Sequence, residues 1–202
     1  MALNFANNNS LSAITTLPAS ISGGGMTLIS EQTASGSATL DFTSGIDSTY
    51  DSYVFKFINM HPASSNPHFQ FQGSTNGGSS YGVTATTTAF RSAHDEADTG
   101  TGFGYLTGQD QAQSTSHIYL VNEVGNANDE NCCGTLQIFN PSSITFVKHF
   151  IARTQSQFRT DSYSLDFYSA GYFNTTSSID AIQFKFSSGN IDSGVIKLYG
   201  IS

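Results

Sequence analysis

The sequence predicts an all-β protein, and three observations carry that prediction. Apolar side chains recur at every second position in about ten short runs, turn formers separate the runs, and no stretch repeats with helical period. The most telling run is Tyr53-Val-Phe-Lys-Phe-Ile-Asn-Met60, where Tyr53, Phe55 and Phe57 alternate with Val54, Lys56 and Ile58. Apolar residues at nearly every position predict a central strand. Similar runs span Met26 to Gln32, Ala38 to Phe42, His68 to Gln72, Tyr81 to Phe90, His117 to Val124, Thr135 to Phe139, Ile144 to Arg153, Tyr163 to Phe173, Ile179 to Phe186 and Gly194 to Ile201.

Between them stand Ser22 to Gly25, His61 to Pro67, Ser74 to Ser80, Gly125 to Asn131, Asn140 to Ser143 and Ser187 to Asn190. Gly and Asn tolerate positive φ and Pro presets a turn angle, so this punctuation has a mechanism. Two segments resist the pattern. Asp47 to Ser52 reads as a capped turn or one short helical turn, because Asp and Ser accept backbone hydrogen bonds at a helix start. Residues 91–114, with glycines at 100, 102, 104 and 108, read as one long decorated loop of the kind that is often functional.

Parallel sheets need interleaved helices, and the sequence offers none. An antiparallel β-sandwich, in its jelly-roll version, is the most economical architecture at this length. It forms a single domain over residues 26–202, able to bury roughly 70% of the unfolded chain's surface. Residues 1–25 are polar and Gly-rich apart from Leu11, Ile14, Leu17 and Ile21, and read either as an extended arm that packs along a neighbouring subunit or as a frayed terminus. No internal repeat points to a solenoid or propeller.

Composition narrows function. The chain has 7 Lys+Arg against 15 Asp+Glu, a net charge of -8, and only 11% charged residues, under half the roughly 25% of an ordinary domain. The polar surface is instead supplied by 30 Ser, 22 Thr, 14 Asn and 10 Gln. Nucleic-acid binding is disfavoured because Lys56, Arg91, Lys148, Arg153, Arg159, Lys185 and Lys197 are scattered singly, whereas phosphate neutralisation needs clustered cations. A chain 38% hydrophobic with 16 Phe and 9 Tyr can build a core, which argues against disorder. No apolar run reaches membrane-helix length, so membrane insertion is not expected, and the first nine residues lack the pattern of a signal peptide. Cys132 and Cys133 are adjacent, which disfavours a disulfide between them; two free thiols fit synthesis in a reducing cytoplasm.

Candidate chemistry is sparse. His94-Asp95-Glu96-Ala97-Asp98 gathers four ligand-type side chains, and Asp129 with Glu130 sits in a second loop, so a calcium site is conceivable in either; a solvated acidic loop is the better reading. Adjacent cysteines suit zinc poorly. A Gly-x-Ser-x-Gly elbow, a phosphate loop and a His-Glu-x-x-His motif are all missing from the sequence. No enzymatic activity, cofactor or metal is expected. Weak ligand-binding candidates are Tyr81, His94, Asp95, Glu96, Asp98 and Tyr105, in which exposed tyrosines could stack on sugars. His149 reads as a strand-face imidazole bonded to a neighbour, and His61 and His68 as exposed flanks of a Pro-containing turn.

Three passages carry a resemblance: Phe42-Thr-Ser-Gly-Ile-Asp-Ser-Thr-Tyr-Asp-Ser-Tyr-Val-Phe-Lys-Phe57, Phe139-Asn-Pro-Ser-Ser-Ile-Thr-Phe-Val-Lys-His-Phe150, and the stretch from Ile179 to Ser202 that includes Ser193-Gly-Val-Ile-Lys-Leu-Tyr-Gly-Ile201. They resemble the roughly 200-residue virion-associated proteins of marine tailed bacteriophages. The resemblance spans nearly the whole chain. It implies a β-rich structural protein of the particle and transfers no catalytic or binding residue; Cys132-Cys133 and the adjacent acids depart from it.

The expected role is a non-enzymatic protein on the virion surface, either a fibre or knob-like appendage or a capsid decoration, made in the host cytoplasm. Its expected partners are further copies of itself, with a trimer favoured, a capsid or tail protein, and a host surface glycan at the attachment end. The alternative is a carbohydrate-binding module using loops near 74–81 and 91–114. Edge strands poor in charge suit pairing between copies, and a lysine on an edge strand, for instance at Thr86, is expected to block it.

Overall fold

The computed structural model describes residues 25–158 and 163–202. Through them run β1 (Thr27–Ser37), β2 (Leu40–Phe42), β3 (Ser52–Pro62), β4 (Phe69–Ser74), β5 (Ala85–Asp95), β6 (Thr101–Tyr105), β7 (Gln111–Ser114), β8 (Ile118–Val121), β9 (Cys132–Phe139), β10 (Lys148–Phe158), β11 (Tyr163–Phe173), β12 (Ala181–Phe186) and β13 (Ile191–Ile201). The fold is all-β, and every pairing is antiparallel. One sheet has the order β1-β13-β3-β9-β10-β11-β5-β6 with β7 also on β5, and the other has the order β2-β12-β4-β8. The pairings give a sandwich divided nine strands to four, which matches the expectation at the level of the sandwich rather than of the jelly roll.

The alternation seen in the sequence becomes the core. Tyr53, Phe55 and Phe57 of β3, Leu136 and Ile138 of β9, and Phe150 of β10 point from the large sheet towards Phe69, Phe71, Phe184 and Phe186 of the small one, and all are buried. Phe184 is the hub, with ring centroids 5.0 Å from Phe55, 5.3 Å from Phe57 and 6.0 Å from Phe42 in edge-to-face contacts. Such pairs add to the burial of apolar area. Two strands press together at Gly171, where a Cβ would meet the Thr86 carbonyl oxygen at 2.3 Å, so only glycine lets β11 lie against β5 there.

Several expectations are corrected. The long loop over 91–114 is strand for much of its length: it holds the end of β5, then β6 and β7. The alternation was hidden because the inward positions of β6 are Gly102 and Gly104, which present no apolar side chain. Of the two alternatives for Asp47 to Ser52 the structure has the capped turn; the Thr49 N–H donates to Asp47 Oδ1 at 2.7 Å, and the Tyr53 hydroxyl donates to the Asp47 carbonyl at 3.0 Å. Residues 144–147 precede β10 as a turn in which the Thr145 and Phe146 N–H groups donate to Ser143 Oγ. Thr86 is not on an edge; β5 lies between β11 and the true edge formed by β6 and β7. The arm expected over residues 1–25 falls, up to residue 24, outside the described residues.

Candidate functional site

The second face of the large sheet, turned away from the core, is where exposed chemistry collects. Strand register fixes three parallel rows across β10, β11, β5 and β6. Arg153, Tyr168, Phe90 and Tyr105 form the first; Gln155, Asp166, Ser92 and Phe103 the second; Gln157, Ser164, His94 and Thr101 the third. Side chains two apart on a strand share a face, so all three rows point outwards together.

Within these rows the side chains hold one another. Arg153 grips Asp166 in a bidentate bond, with Nε to Oδ1 at 3.1 Å and Nη2 to Oδ2 at 2.7 Å. The guanidinium also lies over the Tyr168 ring at 5.0 Å, and the Tyr168 hydroxyl donates to Asp166 Oδ2 at 3.0 Å. Tyr168 stacks on Phe90 with centroids 4.7 Å apart, and Phe90 meets Phe103 edge-on at 5.7 Å. The result is a continuous ladder from cation to ring to ring to ring. Phe103 closes it, 79% exposed on the edge strand, beside Tyr105, whose hydroxyl donates to Asp110 Oδ2 at 2.7 Å. Asp166 raises the Arg153 guanidinium pKa through that hydrogen bond, and the bond to Asp110 raises the Tyr105 phenol. Bidentate pairing of this kind fixes orientation as well as charge.

At the third row the face sinks into a recess of about 280 Å³ lined by Glu96, Asn131, Gln155, Gln157, Tyr163 and Ser164. Its lining is rich in amides, each carrying donor and acceptor. At the other end of the same face an apolar groove of about 470 Å³ runs between Phe139, His149, Ile151, Tyr172, Thr86 and Thr88. His149 lies exposed on the strand face, its ring 6.0 Å from the Tyr172 ring, a contact between rings rather than the expected hydrogen bond.

The residues expected to bind ligands divide. Tyr105 stands beside the ladder and Glu96 lines the recess. His94 sits in the third row with Nε2 3.2 Å from Asp98 Oδ1, and Asp98 occupies the turn tip at φ +55°. Asp95 is buried and spent on the turn: its carboxylate accepts from the Thr99 hydroxyl at 2.6 Å, the Thr99 N–H at 2.8 Å and the Gly100 N–H at 2.9 Å. Those bonds, the Thr99 hydroxyl first, hold its pKa below the ordinary carboxylate range. Tyr81 lies before the opposite end of β5, in a separate recess with Thr75 and Asn174, and burial pushes its phenol up.

Glu130 is likewise turned inwards, accepting from the Ala127 N–H at 2.7 Å. Among the described residues no group of three or more His, Cys, Asp or Glu side chains comes together to hold a metal. Cys132 and Cys133 are both free thiols. His68, expected exposed, is half-buried; its Nδ1 accepts from the Glu123 N–H at 3.2 Å and its ring packs 4.9 Å from Tyr119. His61 is half-buried too, with Nε2 3.1 Å from the Ala127 carbonyl, because the 125–131 loop folds back over the turn.

The sequence reading missed Phe90, Phe103, Arg153, Gln155, Asp166 and Tyr168. The available signal was alternation: Arg153, Gln155 and Gln157 alternate with Ala152, Thr154 and Ser156. Chemically the arrangement offers ring surface, a self-neutralised ion pair and amides, the equipment of binding. No protein-family model matches the chain, and neither a curated protein nor a solved structure matches it.

Proposed function

We propose that this protein is a non-enzymatic structural protein exposed on the particle of a tailed bacteriophage, where it associates with further copies of itself and with a capsid or tail protein. One observation carries the reading: the outer face of the nine-stranded sheet keeps large apolar side chains exposed at both ends. Phe103 and Tyr105 stand at one end; Phe139 and Ile151 stand at the other, and Ile144 and Phe146 in the adjoining β9–β10 turn are 80% and 68% exposed. Apolar surface beyond what the fold requires marks a contact surface.

The resemblance of Phe42 to Phe57, Phe139 to Phe150 and Ile179 to Ser202 to virion proteins supports the same reading. So does the edge strand β6, Thr-Gly-Phe-Gly-Tyr, which bears no charged side chain to discourage pairing. A closed ring of copies, a trimer first, is the expected assembly. Immunogold labelling of intact particles with antibody raised against the folded protein tests the placement. Gold on the particle surface is expected; particles that stay unlabelled while the antibody recognises free protein reject it.

A second reading, a carbohydrate-binding module, is favoured by the aromatic ladder and the amide recess beside it.

A further inference from the structure

We infer that the aromatic ladder and the recess next to it form one continuous binding site for a neutral saccharide, a chain of uncharged pyranose units. The inference rests on the second reading for its ligand class and is independent of where on a particle the protein sits.

A pyranose ring has an apolar face of C–H groups and a rim of hydroxyls that both donate and accept. Its recognition therefore calls for an exposed aromatic ring next to groups that also do both. Phe103 supplies the ring, 79% exposed and held edge-on by Phe90 at 5.7 Å. Phe90 is in turn fixed by Tyr168 and Tyr168 by Arg153. A ring positioned by a stack has little freedom left to lose on binding, which favours affinity.

At the opposite end of the second row from Phe103, three strands away across Ser92 and Asp166, Gln155 lines the recess, where Gln157, Asn131 and Ser164 continue the polar lining. Amide side chains match hydroxyls because each has a carbonyl acceptor and an NH₂ donor. The site thus changes from ring surface to hydrogen-bonding surface along one line, as an extended sugar chain requires.

Charge selects the class of sugar. Arg153 is the cation of the three rows, and its charge is neutralised by Asp166 through Nε and Nη2. Glu96, Asp98 and Asp110 stand around the rim. Among the described residues of the three rows and the recess there is no further Lys or Arg, so a uronic acid, sialic acid or phosphorylated sugar would meet carboxylates there, whereas a neutral sugar meets no repulsion.

The test uses the full chain, purified, titrated calorimetrically with neutral hexasaccharides of glucose, mannose, galactose and N-acetylglucosamine and with oligogalacturonate as the acidic comparison. At least one neutral series is expected to bind and oligogalacturonate is not. Phe103→Ala and Gln155→Ala are each expected to weaken that binding roughly tenfold. Phe103→Tyr keeps the ring and should retain it, and Ile144→Ala, at the far end of the face, should leave it unchanged. Circular dichroism and melting curves establish that each variant is folded.

Several results overturn the inference: no neutral sugar bound by the parent protein, binding confined to the acidic series, or neutral-sugar binding that survives both alanine variants. A Phe103→Ala change that dissolves an oligomer while no sugar binds assigns the face to a second copy instead. Absence of the protein from phage particles would reject the placement and leave the titration untouched.

Discussion

The rings of Phe90 and Tyr168 lie 4.7 Å apart and 6° from parallel, facing each other across β5 and β11. Neither ring enters the core, yet each is held on its other side, Tyr168 by Arg153 and Phe90 by Phe103. Tyr168→Ala removes the middle of this ladder. A stability loss of roughly 1 kcal/mol is expected, the scale of one aromatic contact on a half-exposed face, measured by urea unfolding. A loss several times larger would mean that the ladder is part of the core.

Phe184 stands at the other extreme, fully buried among Phe42, Phe55, Phe57, Phe69 and Phe71. Phe184→Ala is expected to cost about 3–5 kcal/mol, the transfer of the ring plus the cavity it leaves. Phe184→Leu should recover much of that. Equal unfolding midpoints for parent and alanine variant would contradict the arrangement of the core.

Gly171→Ala tests the register of β11 on β5. Its Cβ would stand 2.3 Å from the Thr86 carbonyl oxygen and 2.9 Å from the Thr87 Cα, both backbone atoms that cannot swing aside. The strands must part locally, and a destabilisation of roughly 1–3 kcal/mol is expected. Gly102→Ala, with open space around the new methyl, serves as the control and should melt close to the parent.

Acid should loosen the fold through two histidines. Burial lowers the pKa of both His68 and His117 below the ordinary imidazole value, and His68 Nδ1 must be deprotonated to accept from the Glu123 N–H. The unfolded chain therefore takes up protons first. Above about pH 6.5 neither group affects stability, and as pH falls through that value the folded state loses ground. Unfolding free energy measured from pH 7.5 to pH 5 should fall; a His68→Asn, His117→Gln double variant should flatten the slope. An unchanged slope would contradict this account.

Pairing between copies through β6 predicts that Gly102→Lys, placing a charge on the edge strand where there is room for it, shifts the protein towards monomer in sedimentation equilibrium while the melting temperature moves little. Oligomers that persist with this charge would remove β6 from the interface.

The strands that were readable in the sequence are those with side chains to read. β3 announces itself through Tyr53, Phe55 and Phe57, and β11 through Leu165 and Phe167 alternating with Asp166 and Tyr168. β6 was hidden because two of its five residues are glycine, and β7 because Gln111-Ala-Gln-Ser114 has no apolar side chain larger than that of Ala112. The outer face of the large sheet was illegible for a different reason. Phe90, Phe103, Arg153 and Tyr168 are separated by up to 78 positions in the sequence, and only the pairing of β10, β11, β5 and β6 brings them into adjacent rows. Tyr105 and Glu96 draw attention in the sequence because they lie in a segment conspicuous for its acids and glycines. His68 was misplaced because a Pro-containing turn suggests exposure, and the packing of Tyr119 and Glu123 over it is tertiary.

The proposed placement on a phage particle is tested most directly by quantitative mass spectrometry of gradient-purified particles from a lysate in which this chain is produced. Peptides of the protein are expected at a copy number in fixed ratio to a capsid or tail component, retained through high-salt washing. Particles with capsid and tail proteins at full coverage and no peptide of this chain would contradict it.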